Sequence, residues 1–441
     1  MAQEPPPYSS RRQPRSALPP YLANYASAST DSYSTLNSFR CRHQYSLETS
    51  KRRPWVTLSV HSRSPHSNLL PLFFEHDVIC GSVSLDLVKP DGIRGVNITL
   101  QAGTTTLGHQ PEVFLETTQT LWSQSSGKLQ GSYAWTFSIS IPSTVTMTEG
   151  RNTPHRTYPL PPRFSERGSV AHIDYKIIVT IRRGMLAVNS TSFQKFSLGT
   201  NFVYLPKSVA EPPSALRTIA YREGTSLIGP MNDPEGWKVL DVIEVKGSLY
   251  ASKAVSVRCT LAIAAPLCYA TNTSVPLHLA MESIDPVAVD ILSRPQVIVV
   301  RLVRTLAIHD NSMLHASNSF DDYMGRAVFW PTDDRTSQPG HRTLWGELHL
   351  KKGLKPSFIF REISLQYAIA LYPFQVVGFN PASPHRPLSS QQVTIALVNP
   401  PDIRFRSYAP PRLVAESDAD FIGSPNRRFH FTGDMDTYTM H

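Results

Sequence analysis

Cysteine is scarce in this chain: Cys41, Cys80, Cys259 and Cys268 are the only four in 441 residues, with no CxxC or other metal spacing. That excludes a disulfide scaffold and a zinc ribbon, and leaves free thiols in a reducing compartment as the expectation. Long apolar runs are missing too. No stretch approaches the roughly 18 residues of a spanning helix, and the first residues are rich in Pro, Arg and Gln where a secretory leader needs an apolar core. The chain is therefore expected inside the cell and soluble, with the sequons at Asn97, Asn189 and Asn272 as chance matches. GxSxG, GxGxxG, P-loop and HExxH motifs are all absent, and the 15 histidines are scattered singly. Cys41 and His43 are close together but lack two further metal ligands. These absences argue against an enzyme, and neither a cofactor, a metal nor a nucleic-acid partner is expected.

What is present is proline, 37 residues of it, with 10% aromatics and only 17% charged residues. This composition fits a loop-punctuated β protein better than a helical one. The net charge of +9 suits acidic partners such as phosphorylated tails or anionic lipid head groups, and equally a dispersed solvated surface. A chain this long accommodates two or three domains.

Residues 1–54 hold Ser, Pro, Tyr and Arg with hardly an aliphatic pair, which predicts a disordered, positively charged tail. A first β unit is expected over residues 55–206. Val83, Leu85 and Leu87, then Val96, Ile98 and Leu100, alternate on either side of a Lys89–Gly92 turn and read as an antiparallel hairpin. Tyr133, Trp135, Phe137, Ile139 and Ile141 read as a half-buried strand that Pro142 stops. The longest alternation is Ile173, Tyr175, Ile177, Val179 and Ile181, approached through Pro161, Pro162 and Gly168. Residues 207–234, with five prolines at or near them, read as a linker. A second β unit is expected over 235–405. It has strands through Val255–Ile263, Leu277–Met281, Val297–Val303 (with Val297, Val299, Arg301 and Val303 on one face), Phe358–Leu371 and Val393–Leu397. Pro286–Leu292 reads as the only helix, 305–345 as a long loop with one strand, and 406–441 as a short flexible tail. The fold class expected is all-β, with two tandem sandwiches.

The segments "GSVSLDL", "VNITLQAG", "WTFSISIP", "LPPRF", "IDYKIIVTIRR" and "FVYLP", in that order, resemble the N-terminal sandwich of arrestin-like proteins of fungi. In the second half "VDILSRPQVIVVRLVR", "PSFIFREI" and "SLQYAIALYPF" are similar to the C-terminal sandwich of that family. The resemblance covers roughly residues 55–405 and implies two tandem immunoglobulin-like β-sandwiches. It also implies an adaptor that carries membrane proteins to a ubiquitin ligase.

The tail contains Pro5, Pro6, Pro7 and Tyr8, a PPxY match, and Leu18, Pro19, Pro20 and Tyr21, an LPxY match. Consecutive prolines hold a polyproline II ridge that WW domains grip, with a second pocket for the tyrosine. One match arises readily by chance in a proline-rich tail; two in one tail favour WW ligands, and bivalency raises the effective concentration of the second site. In the resembled family such motifs recruit HECT-type ubiquitin ligases while the sandwiches bind cytoplasmic tails or loops of membrane proteins, at the plasma membrane or endosomes. Here the motifs precede the first sandwich, whereas the family usually carries them after the second. Arg182, Arg183, Lys351, Lys352 and Lys355 lie at strand ends or in a turn and are candidates for a phosphate or lipid head group, or else ordinary solvated turns. The alternative function is a structural trafficking scaffold resembling the retromer-type arrestin-fold subunits, acting without a ligase.

Overall fold

A computed structural model describes residues 41–107, 110–124, 128–148, 155–166, 169–184, 193–309, 317–332, 338–383, 386–410, 413 and 427–432. The architecture is all-β, with two short α-helices among the described residues. In the first half the strands are β1 (Cys41–Glu48), β2 (Pro54–Ser62), β3 (Leu72–Phe74), β4 (Val78–Asp91), β5 (Ile93–Thr106), β6 (Glu112–Ser123), β7 (Leu129–Ser140), β8 (Thr144–Thr148), β9 (His155–Pro159), β10 (Ala171–Gly184) and β11 (Phe193–Leu205). They form a four-stranded sheet in the order β1-β2-β4-β7, a five-stranded sheet β3-β11-β10-β5-β6, and the small β8-β9 pair.

The long alternation in β10 sits where its period of two requires. Ile173, Tyr175, Ile177, Val179 and Ile181 are buried, and Lys176 and Arg182 are exposed. Neighbours on both sides lock the register: Ile177 lies opposite Leu100 of β5 and Thr200 of β11. The Tyr175 hydroxyl donates to Pro161 O at 2.5 Å, so the one polar atom on this buried face is satisfied by the proline-rich approach. β7 likewise buries Phe137 and Ile139 and turns Ala134, Thr136 and Ser138 outward.

The hairpin expected around Lys89–Gly92 does not form. β4 pairs with β2 and β7, whereas β5 pairs with β10 and β6, so the chain passes from one sheet to the other at this turn. Both strands alternate because each covers the core from its own sheet, and period two cannot say which strand is the partner. The tail boundary also moves. β1 lies inside the stretch expected to be disordered and pairs along its length with β2, turning His43, Tyr45 and Leu47 inward. Its inward set is only moderately apolar, and that hid it. His43 is buried with Nε2 2.8 Å from Ser62 Oγ. Burial lowers its pKa, with a backbone hydrogen bond from the Ser67 region opposing.

The expected linker holds a helix, α1 (Ala215–Glu223), capped by Ser214, whose hydroxyl accepts from the Arg217 amide, and closed by left-handed Gly224. Its buried face is Arg217, Ala220 and Tyr221, while Leu216 and Ile219 are exposed, so its apolar residues do not mark its inner side. Arg217 is buried against the Trp237 ring and donates to Ala265 O at 2.8 Å. Burial is the larger influence on it and pulls its pKa down.

The second half comprises β12 (Trp237–Val239), β13 (Ile243–Leu249), β14 (Lys253–Ala264), β15 (Cys268–Ala270), β16 (Ser274–Glu282), α2 (Pro286–Leu292), β17 (Val299–His309), β18 (Ser317–Arg326), β19 (Val328–Pro331), β20 (His341–His349), β21 (Phe358–Phe360), β22 (Ile363–Tyr372), β23 (Phe379–Pro381), β24 (Ser389–Ala396) and β25 (Arg427–Thr432). One sheet follows the order β19-β20-β16-β14-β13-β23, with β12 on β14; the other follows β15-β24-β22-β17-β18-β25, with β21 on β22. The region read as a long loop with one strand instead contributes the end of β17, all of β18 and β19, and the start of β20. Polar residues at Ser319, Asp321 and Asp322 masked the period of β18. Helix α2 is where it was expected, but α1 makes it one of two α-helices among the described residues.

The phase of β17 is opposite to expectation. Val300, Leu302, Leu306 and Ile308 join the main core, and Arg304 occupies the same face between them. Arg301, on the other face, is stacked 4.4 Å from the Tyr323 centroid and 5.8 Å from that of Tyr372. Beyond β24, residues 404–410 do not fray at once: buried Glu347 accepts from Ser407 Oγ at 2.5 Å and from the Tyr408 amide at 2.7 Å. All four cysteines are free. No helix among the described residues is long and apolar enough to cross a membrane.

Candidate functional site

The most concentrated group of buried charges lies where the two halves meet. Phe164 bridges to Ile173 at the entry to β10, and this pairing presents Glu166 two residues later. From the second half, the core-facing position of β17 presents Arg304, and the segment after β20 presents Lys355. Arg304 grips Glu166 with both guanidinium nitrogens, Nη1 to Oε1 at 2.8 Å and Nη2 to Oε2 at 3.0 Å, and also reaches Asp322 Oδ2 on β18 at 2.7 Å. Lys355 Nζ is 3.3 Å from Glu166 Oε1 and 4.3 Å from the Phe164 ring centroid. The Tyr367 hydroxyl donates to Lys355 O at 2.8 Å and so fixes the lysine backbone. Beside them Arg163 pairs with Asp174 at 3.0 Å.

Two carboxylates and two cations balance, which is what allows the group to stay buried; Arg304 is only 9% exposed and Lys355 8%. Burial works to raise the Glu166 pKa, yet the Lys355 and Arg304 charges outweigh it and hold the carboxyl below the ordinary range. Burial pulls the Lys355 ammonium down to about 8 against the opposing influence of Glu166. Arg304 is also disfavoured by burial, but Glu166 and its other partners raise it further above its ordinary value.

These directions set the pH dependence. Glu166 contributes stability that is full above its unfolded pKa and is lost as pH falls through its lower folded value. For Lys355 the folded form binds fewer protons between about 8 and 10.5, so stability from this group rises with pH across that window. Urea midpoints measured from about pH 6 down to about pH 3.5 should therefore fall more steeply in the wild type than in Glu166→Gln. Parallel curves would mean that Glu166 carries no linked stability.

An aromatic seam flanks the charges. Phe360 packs 4.7 Å from Phe114 and 5.7 Å from Tyr158, and Phe164 lies 5.8 Å from Phe358. Arg361, in the left-handed conformation at the β21–β22 turn, pairs with Glu112 of β6. A cleft lined by Thr104, Glu112, Phe360, Arg361 and Ile363 opens beside that pair. Chemically the arrangement is a clamp: it ties the two halves together and pairs each charge it uses with an opposite one.

The expected phosphate or lipid contacts do not come together. Lys355 is turned inward to Glu166, while Lys351 and Lys352 remain in the turn that follows β20. Arg182 and Arg183 stand at the far end of β10, roughly 30 Å from the Phe164–Ile173 bridge at the strand's rise per residue. Arg183 donates from Nε to Asp91 Oδ1 at 2.6 Å and lies over Phe196. Pro5, Pro6, Tyr8, Leu18, Pro19 and Tyr21 lie outside the described residues. Glu166, Arg304 and Asp322 were not anticipated. The available signal was Arg304 itself, an arginine on the apolar phase of an otherwise aliphatic run. Among the described residues no three His, Cys, Asp or Glu side chains are grouped to hold a metal. No family model matches the chain, and no curated protein matches it.

Proposed function

We propose that this chain is a non-catalytic adaptor built like the arrestin-like proteins it resembles. In this reading two tandem immunoglobulin-like β-sandwiches form the body and bind cytoplasmic tails or loops of membrane proteins. The N-terminal tail recruits a HECT-type ubiquitin ligase through its WW domains, so that the bound membrane protein is ubiquitinated and internalised. The protein acts in the cytoplasm, peripherally at the plasma membrane or endosomes. The observation that carries the reading is the pair of proline–tyrosine motifs, Pro5–Tyr8 and Leu18–Tyr21, within one 40-residue segment ahead of β1. The paired sheets of each half and the balanced clamp between them support it, because they give a rigid body with broad sheet faces on which a partner's segment can lie.

A peptide of residues 1–26 titrated against ligase WW domains tests this. Micromolar binding that falls at least about tenfold in Tyr8→Ala with Tyr21→Ala is expected, since each tyrosine fills its own pocket. Millimolar binding, or no loss in the double variant, would favour the ligase-independent scaffold of the retromer type.

A further inference from the structure

One end of the first half collects cations that its carboxylates do not balance. At that end β1 turns into β2 through residues 49–53, β4 passes into β5 at Gly92, β6 closes and β7 opens over residues 123–129, and β10 gives way to β11 after Gly184. The pairings bring these turns together: Val56 lies opposite Leu85, Asp91 opposite Leu129, Gly95 opposite both Ser123 and Arg182, and Arg182 opposite Lys195. Lys51, Arg52, Lys89, Lys128, Arg182 and Lys195 are all exposed there, and none makes an ion pair among the described residues. Arg53 and Arg183 are already matched, to Asp86 and Asp91, which leaves Glu48 as the remaining carboxylate. The stretches 125–127 and 185–192 between these strands contain no charged residue. Lys195 directly opposite Arg182 is a like-charged pair of the kind that weakens strand pairing, and a bound anion would remove that cost.

The breadth of the cluster decides what kind of anion fits. Four turns at the ends of two packed sheets spread these charges over roughly 10 by 15 Å, from the spacing between sheets and between strands. That is far wider than one phosphate group and suits a plane of many head groups. Val88, beside Lys89 and 64% exposed, adds an apolar contact at the same level. The clamp lies at the other end of β10, so this surface stays open while the halves are joined. We propose that this end of the first half is a docking surface for an anionic lipid membrane, held by acidic phospholipid head groups against the six cations. The proposal rests on the peripheral membrane placement given above and names the surface that carries it; it is independent of the tail motifs and of any ligase.

Co-sedimentation of the full chain with vesicles tests it. The wild type should bind phosphatidylcholine vesicles holding about 30% phosphatidylserine at least about thirtyfold more tightly than phosphatidylcholine alone, and should lose that preference at high salt. The triple variant Lys128→Glu, Arg182→Glu, Lys195→Glu should bind the acidic vesicles at least about thirtyfold more weakly while keeping the wild-type thermal midpoint, since each cation near the surface is worth roughly fivefold. Lys51→Glu with Arg52→Glu, on a separate turn, should lose at least about tenfold. Lys238→Glu, Arg386→Glu, Arg404→Glu makes the same change in net charge at exposed positions of the second half and should lose less than about threefold. Equal losses in the two triple variants would mean attraction by net charge alone and overturn the proposal. Undiminished binding in the variants of the first half would overturn it while leaving the membrane placement standing, and a wild type that ignores acidic vesicles would remove both. Inorganic phosphate at matched ionic strength should compete no better than chloride; selective competition would mean a single-anion site and contradict a membrane surface.

Discussion

Replacing Arg304 by methionine is expected to destabilise the protein by about 3 kcal/mol, the low end of the range for breaking a buried ion pair. The low end applies because Glu166 and Asp322 keep about a quarter of their side-chain surface in water, at 23% and 25%. Methionine fills much the same volume, so the loss comes from two carboxylates left without their shared cation and not from a cavity. Calorimetry should show a lowered thermal midpoint, and limited proteolysis should show faster cutting between the halves, in residues 207–214. Adding Glu166→Gln should recover part of the loss, with a coupling energy of about 1 kcal/mol or more. If Arg304→Met leaves midpoint and cleavage unchanged, the clamp contributes nothing to the joining of the halves.

The second large effect is expected at Ile177. It is 1% exposed and lies between Leu100 and Thr200. Ile177→Asp places an unpaired carboxylate in a dry core, which should cost several kcal/mol and unfold the first half. Lys176→Asp, on the exposed side of the same strand, should be mild. Ile178 is half-buried on that outer side and lies against Gly199 of β11, so Ile178→Asp should fall between the two. Soluble yield and protease resistance of the three variants rank them. A tolerated Ile177→Asp beside an unfolding Lys176→Asp would contradict the register.

The long strands β4, β5, β7 and β10 of the first half were legible because each has one dry face, and a period of two then writes burial directly into the chain. Partnership was not legible. Val83–Leu87 and Val96–Leu100 have the same pattern whether they face each other in one sheet or cover one core from two, and only the structure separates these. Where both faces are covered the pattern blurs: β17 buries Val299 and Val303 as well as Val300 and Leu302, and its phase was read backwards as a result. Helix α1 was missed because its inner face is made of Arg217 and Tyr221 while Leu216 and Ile219 look outward. The clamp was hidden for a related reason. Glu166, Arg304 and Lys355 are 138 and 189 residues apart counted from Glu166, and their charges make sense only as a balanced set. Conversely, the proline–tyrosine motifs are legible only in the sequence, since residues 1–40 lie outside the described structure.

The adaptor reading rests on the tail engaging two WW domains at once. Thirteen residues separate Tyr8 from Tyr21, a root-mean-square span of roughly 20 Å for a flexible chain, within reach of two tethered domains. The most direct test is calorimetric titration of the full chain with a ligase fragment holding two WW domains and with one holding a single domain. The two-domain fragment should bind one to one and at least about tenfold more tightly, and Tyr21→Ala should reduce it to the single-domain affinity. Equal affinity for the two fragments, or no binding of either by the full chain, would contradict the account.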